Sequence, residues 1–300
     1  MELLIKFETE GFPADYLLSR LRGRKGRFIK NRQTPLCGPG MSRDELMREF
    51  RWVYVLMAPG LRRAFEPFFI YAELRTISLC LRFLAGKEEE RLPGILASSM
   101  LSDGIKKLLT SSPDLVSAAD GLGKVFLPLS PNFAGIGAAL RERGLREAER
   151  LLSQAFLQYA VEAASFDSLR NFFARIIDMK NLIALWKGLR WDAGEHVSFI
   201  KGGRIREGVL NVFLRDGDIS KAAGLVRQTA GCDADRPDSS DMEKVLFKWI
   251  TRMLRRDREP LGRGPILNYL WQGLMETANL GLVLYSGAPD GQAAAAETAR

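Results

Sequence analysis

The stretch from Asn171 to Gly203, NFFARIIDMKNLIALWKGLRWDAGEHVSFIKGG, constrains this chain more than any other. Its periodicity predicts one helix followed by a loop that ends in Gly-Gly. At 100° per residue, Leu182, Leu185, Trp186 and Leu189 share one face, while Lys180, Ala184, Lys187 and Trp191 share the other. Asp178 and Asn181 fall on the leucine face, one turn apart. A buried polar group left without a partner costs roughly 1–3 kcal/mol, and a charged one costs more. The helix therefore has to meet partners that complete those hydrogen bonds.

The same arrangement occurs twice more. In YAELRTISLCLRFLAG, Glu73 and Thr76 hold the polar pair, with Ile77, Cys80 and Leu81 behind them. In WQGLMETANLGLVLYSG, Glu276 and Asn279 hold it, followed by Leu280, Val283 and Leu284. The offsets between copies are 105 and 98 residues. A near-even period of about a hundred residues points to repeated helical lobes. The reading is all-α: a funnel- or ring-like body of three similar lobes, with no convincing β-hairpin.

The divisions expected are 13–122 for the first lobe, 123–203 for the second, which carries the Asp178/Asn181 helix, 204–287 for the third, and a disordered tail at 288–300. The third lobe lacks the short helices that end the others. The helix at 13–32 is expected to fill that gap by packing against 268–286.

Three hundred residues can bury a sizeable core. With 46% hydrophobic and 27% charged residues, the composition is that of an ordinary globular protein and excludes wholesale disorder. No apolar run is long enough to span a membrane unaided, and MELLIKFETEG does not read as a signal peptide. Cys37, Cys80 and Cys232 are odd in number and far apart, which suggests a reducing compartment and no disulfide framework. The net charge of +8 favours an acidic partner, an anionic membrane surface or nucleic acid, without choosing among them.

Read in order, residues 1–12 form a short strand or an arm. Pro13 opens a basic helix carrying Arg22, Arg24, Lys25 and Arg27. That cluster reads as a nucleic-acid or lipid patch, or as a solvated face near an acidic partner. The apolar side formed by Leu17, Leu18, Leu21 and Phe28 favours the latter. Ser42 and Glu45 form a capping box opening a helix to about Phe65, with a kink expected at Pro59-Gly60 and Pro67 separating it from the polar-pair helix at 69–85. Helical segments follow at about 94–110 and from Ser112-Pro113 to Gly121. Residues 125–137 read as a linker, and 138–165 as one long amphipathic helix. After Gly203 come two short helices around Asp216-Gly217. A helix then starts near Ser240 and runs to Arg256, with Arg252, Arg255, Arg256 and Arg258 at its basic end.

Chemistry is hard to place on this chain. His196 is the single histidine, so neither a zinc site nor a Ser-His-Asp set can be assembled. Nucleotide-binding glycine loops are absent. Gly202-Gly203 reads as a tight turn that needs positive φ. Asp178 could serve as a catalytic carboxylate, yet a constellation recurring three times with loose identity favours a structural role. No catalytic, cofactor-binding or metal residue is assigned.

IDMKNLIALWKGLR followed by FIKGGRI resembles the signature region of the C-subunit family of V-type ATPases, whose eukaryotic members are called d. The segments LLSQAFLQYAVEAASFDSLRNFFARI and GPILNYLWQGLMETANLGLVLYSG resemble the helix before that signature and the family's closing block. The resemblance covers about 138–287 well and 42–110 more faintly. It implies an all-helical funnel of three lobes and a mechanical role. Such a protein sits peripherally on the cytoplasmic face of the membrane, between the proteolipid rotor ring and the central shaft, in a complex that transports protons or sodium. It also implies that Glu73, Asp178, Asn181, Gly202, Gly203, Glu276 and Asn279 define the fold. The basic clusters, Arg22, Arg24, Lys25 and Arg27 together with Arg252, Arg255, Arg256 and Arg258, would meet partners or lipid headgroups. No cofactor and no nucleic acid is expected. The alternative is a basic helical-repeat scaffold or a nucleic-acid-binding protein.

Overall fold

The computed structural model describes residues 2–30, 42–191, 197–231, 239–257, 259 and 262–286, with the backbone alone at 25–30, 239–241 and 278–286. Thirteen α-helices run through the described residues, which contain no strand beyond two isolated bridges. The chain is all-α, as the periodicity predicts.

The first helix, α1 (Ala14–Lys30), carries Leu17 and Leu21 on its buried side. Next, α2 (Arg43–Leu56) opens on the expected capping box. The Ser42 hydroxyl accepts from the Glu45 N–H, and the Ser42 N–H donates to the Glu45 carboxylate at 2.8 Å.

The kink expected at Pro59-Gly60 is a full break just before it, and the separation expected at Pro67 is absent. The chain breaks at Met57–Ala58, and α3 (Pro59–Gly86) then runs unbroken through Pro67. An interior proline costs about 3 kcal/mol. Here Phe65, Phe68, Phe69 and Ile70, all essentially inaccessible, surround it. At about 1.5–3 kcal/mol per buried large apolar side chain, their burial outweighs the cost.

Pro59 opens α3 at a position where a proline costs nothing. The break itself is fixed from outside. Residues 2–12 form an arm in which the Phe12 N–H donates to the Leu56 carbonyl and the Ala58 N–H to the Phe12 carbonyl. At the far end of the arm, Ile5 N–H binds the Met100 carbonyl and Leu3 accepts from the Ser102 N–H.

That second contact divides the segment expected to be helical at 94–110 into α4 (Leu92–Ser98) and α5 (Asp103–Ser111). The Asp114 side chain caps α6 (Leu115–Phe126) through the Ser117 N–H at 2.6 Å, two residues beyond the expected start. The expected linker at 125–137 is largely ordered. Residues 131–135 form a 3-10 turn, and Phe133 folds back onto Phe126 with ring centroids 5.1 Å apart.

The long helix expected at 138–165 is two, α7 (Ile136–Arg143) and α8 (Leu145–Ala163), divided at Gly144 with φ 82° and ψ 179°. Only glycine adopts that conformation readily. The remaining helices are α9 (Asp167–Arg190), α10 (Glu207–Asp216), α11 (Ile219–Ala230), α12 (Ser239–Arg256) and α13 (Arg263–Ser286). As expected, α1 packs on α13.

The core centres on the three long helices with the polar pairs. Phe68 of α3, Phe173 of α9 and Trp271 of α13 occupy equivalent positions in the repeat. All three abut the ring of Phe172, at 5.7, 5.2 and 5.4 Å between centroids. Edge-on and tilted aromatic contacts of this kind add to area burial. Helices α8, α10, α11, α12 and α13 all pack on α9. Its lysine-bearing side is therefore partly covered as well, while Trp191 at its end stays exposed. Lys187 lies 3.8 Å from the Glu243 carboxylate of α12, and burial pulls the Lys180 ammonium below its ordinary pKa, opposed by Glu243.

Candidate functional site

Each described polar pair holds the backbone of a loop that follows its own helix. In α3, Glu73 is 1% exposed. Its carboxylate accepts from the Ser99 hydroxyl at 3.0 Å and from the Met100 N–H. In α9, Asp178 is equally buried, and its Oδ1 accepts from the Ile205 N–H at 3.0 Å. Both acids reach a backbone N–H 27 residues further along the chain.

Their companions differ. The Asn181 amide donates to the Ile200 carbonyl at 2.9 Å and accepts from the Ile200 N–H at 2.8 Å, so one side chain pairs with both polar groups of one residue. Thr76 cannot do this with a single hydroxyl. Instead its Oγ1 accepts from the Arg43 guanidinium at 2.6 Å, and Arg43 reaches on to the Ile95 carbonyl.

Desolvation raises the Asp178 pKa above the ordinary carboxylate value. The N–H groups of Ile205 and Arg204, and then the Arg175 and Arg204 charges, oppose it. Such a group could be catalytic in an open site. This one is enclosed and points at backbone.

The two glycines of the signature have different jobs. Gly202 sits at φ +99°, the region expected for a tight turn. Gly203 is required by space instead: a Cβ there would lie 2.4 Å from Asp178 Oδ1 and 3.0 Å from Ile177. The loop backbone can approach the carboxylate only because that position carries no side chain.

The third copy is placed less completely. Glu276 is partly buried in α13, without a hydrogen bond among the described residues, and the Asn279 side chain lies outside them. The two fully described pairs bind separate loops. No cluster of His, Cys, Asp or Glu suited to a metal ion occurs among the described residues. His196, Cys37 and Cys232 lie outside the described residues. Cys80 is a free, buried thiol whose pKa burial raises to about 11.

The basic candidates are also sorted by the structure. Arg24 turns inward over the Trp52 ring at 3.8 Å and pairs with Glu49 at 3.5 Å, and its side chain is partly buried. Arg252 donates to the Ala230 and Gly231 carbonyls and caps the end of α11. Arg22, Arg255 and Arg256 are exposed, whereas the side chains of Lys25, Arg27 and Arg258 lie outside the described residues.

Sequence reasoning missed Arg62. This α3 residue is 6% exposed and donates to the carbonyls of Phe7, Thr9, Tyr54, Val55 and Met57 and to the Thr9 hydroxyl. It closes the end of α2 and fastens the N-terminal arm in one stroke. The signal available was an arginine in the first turn of a helix, one residue after Leu61 and three before Phe65.

A family model described as "ATP synthase (C/AC39) subunit" matches residues 41–287. A curated relative, the C subunit of the V-type ATP synthase of Deinococcus radiodurans, is 26% identical over 198 residues. The match covers 63% of this chain and 53% of the relative, so it spans about half of that protein's length.

Proposed function

The chain belongs to the ATP synthase (C/AC39) subunit family, and from that membership we propose that it is a non-catalytic central-stalk component of a V/A-type rotary ATPase or ATP synthase. It joins the central shaft to the proteolipid rotor ring and passes torque between them, so that ATP turnover and proton or sodium movement are coupled. It lies peripherally at the cytoplasmic face of the membrane. No helix among the described residues is long and apolar enough to cross a bilayer, in keeping with that position.

The observation that carries this reading, beside the family match, is where the buried acids point. Glu73 and Asp178 are enclosed and bonded to the chain's own backbone, which leaves neither facing a substrate. A coupling element needs stiffness and faces for partners, and it needs no reacting group. Long helices joined at an aromatic centre, with their following loops fastened to them, provide that stiffness.

The test uses the membrane complex with and without this chain. Without it, the head should keep hydrolysing ATP while ATP-driven ion uptake into vesicles falls to background, and adding back the purified chain should restore uptake. Ion uptake that persists at full rate without the chain would overturn the reading.

A further inference from the structure

A cleft of about 830 Å3 opens between the N-terminal turns of α9, the end of α11 and the last turns of α12. Its volume is in the range of small-molecule sites. The first N–H groups of an α-helix have no acceptor within the helix. At the head of α9 the capping position is taken by Phe166, and no side chain caps the helix. With 24 residues behind it, that end carries the partial positive charge of a long helix, and its first residues, Asp167 and Ser168, line the cleft.

The walls hold donors that the protein does not use. Ser168 is 6% exposed, and its hydroxyl has no hydrogen bond among the described residues. A buried polar group left in that state costs roughly 1–3 kcal/mol. Ser168, Asn171 and Arg175 stand at i, i+3 and i+7 and share one face of α9. Arg175 stacks on the Trp249 ring at 5.0 Å. Its Nε is buried without an acceptor, and no described protein group accepts from its terminal nitrogens. Arg256, from α12, is exposed and has no hydrogen bond or ion pair among the described residues.

The acceptors around the cleft are paired or turned aside. The Asp167 side chain is 87% exposed and binds Arg170 at 2.8 Å, and Glu259 binds Arg263 at 2.7 Å. Asp257 accepts from the Glu259 N–H, and its Oδ2 is closed to solvent against Gly264, where an added Cβ would lie 3.0 Å away. The carbonyls that end α11 would repel an anion, but Arg252 donates to those of Ala230 and Gly231. A helix N-terminus, a hydroxyl and two guanidiniums remain. Together they suit a phosphate group, whose oxygens accept from helix N–H groups and from guanidinium forks. A bare phosphate would leave Trp249 and Met253, the apolar part of the lining, uncovered. A phosphate ester that carries a flat ring and a sugar covers them, with Gln228 and Thr229 placed for the sugar hydroxyls.

We propose that this cleft binds a nucleoside phosphate, with the phosphate held by the N-terminus of α9, Ser168, Arg175 and Arg256 and the base against Trp249 and Met253. The glycine loop of many nucleotide sites is absent from the sequence, and the uncapped end of α9 takes its place. Rotary coupling neither requires nor excludes such a ligand.

The experiment is calorimetric titration of the purified full chain with ADP, with inorganic phosphate and with adenosine. ADP should bind, inorganic phosphate should compete with it more weakly, and adenosine should bind at least about tenfold less tightly than ADP, because the charged contacts go to the phosphate. Arg175→Gln and Arg256→Glu should each weaken ADP binding about tenfold or more, and Ser168→Ala by less. A control, Arg146→Glu, on the exposed side of α8, should bind as the parent does. Thermal melts establish that each variant is folded, and Arg256→Glu, being exposed, keeps the test decisive if Arg175→Gln does not fold. No ADP binding at millimolar concentration, adenosine or inorganic phosphate equal to ADP in affinity, or parental ADP affinity in the folded arginine variants would each overturn the proposal. Each of these results would leave the coupling reading standing.

Discussion

Two loops of this molecule are held by the same bond and differ in everything around it. The loop at 99–102 hangs from Glu73 of α3, and the loop at 200–205 from Asp178 of α9, each through a backbone N–H 27 residues after the acid. The first is clasped from its other side by the N-terminal arm, through the Leu3 carbonyl and the Ile5 N–H, and that arm is held in turn by Arg62. Among the described residues the second has no such clasp. It compensates with Asn181, which pairs with both backbone groups of Ile200, and with Gly203, which lets the backbone reach the carboxylate. The comparison teaches that the repeated element is the acid-to-loop bond, while the means of steadying the loop are local. It also accounts for why Thr suffices in one copy and Asn stands in the other.

The sharpest way to separate the two regions is Arg62→Met. It leaves up to six oxygen acceptors without their donor, so a loss of about 4 kcal/mol or more is expected in denaturant unfolding. Native-state hydrogen exchange should speed up at residues 3–5 and 99–102, with little change at 200–205. Equal acceleration in both loops would mean that the arm steadies the whole body and that the two regions are not independent.

Next in size, Glu73→Ala and Asp178→Ala should each cost about 3 kcal/mol, because each strands buried donors. Similar losses would support equivalent roles. A near-neutral result for one would break the equivalence.

Gly203→Ala is expected to cost about 2 kcal/mol by forcing the loop away from Asp178. That cost should shrink sharply in an Asp178→Ala background, and a double-mutant cycle measures the difference. Full additivity would show that the crowding lies elsewhere.

The smallest effect is on pH dependence. The Asp178 pKa is raised in the folded state, so the native protein binds its proton more tightly than the unfolded chain does. Stability from this group is present below its unfolded value and declines as pH rises through the folded one. Asp178→Asn keeps a carbonyl acceptor and removes the titration. Its deficit relative to the parent, measured by urea titrations at several pH values, should narrow as pH rises through the carboxylate range. A deficit that widens would reverse the assigned sign.

Much of this was readable in the sequence, and the misses have a common cause. The polar pairs, the all-α class and the packing of the first helix on the last follow from side-chain periodicity, which the chain carries locally. Pro67 was misleading because its cost is local, while the burial of Phe65, Phe68 and Phe69 that offsets it is tertiary. The breaks at Met57–Ala58 and at 99–102 are imposed by the arm, whose partners lie some fifty and a hundred residues away. Gly144 divided a helix whose apolar period runs straight across it, since a period says nothing about φ. Among the basic residues, composition could not tell Arg24, which stacks inward on Trp52, from the exposed Arg22 two residues before it.

The central claim is that this chain works between a shaft and a ring. The most direct measurement is to recover the tagged full-length protein from its own gently solubilised membranes and identify its partners by mass. Rotary coupling predicts recovery of the proteolipid ring together with the shaft proteins. Recovery of nucleic acid, or of unrelated soluble proteins alone, would contradict it and favour a basic helical scaffold.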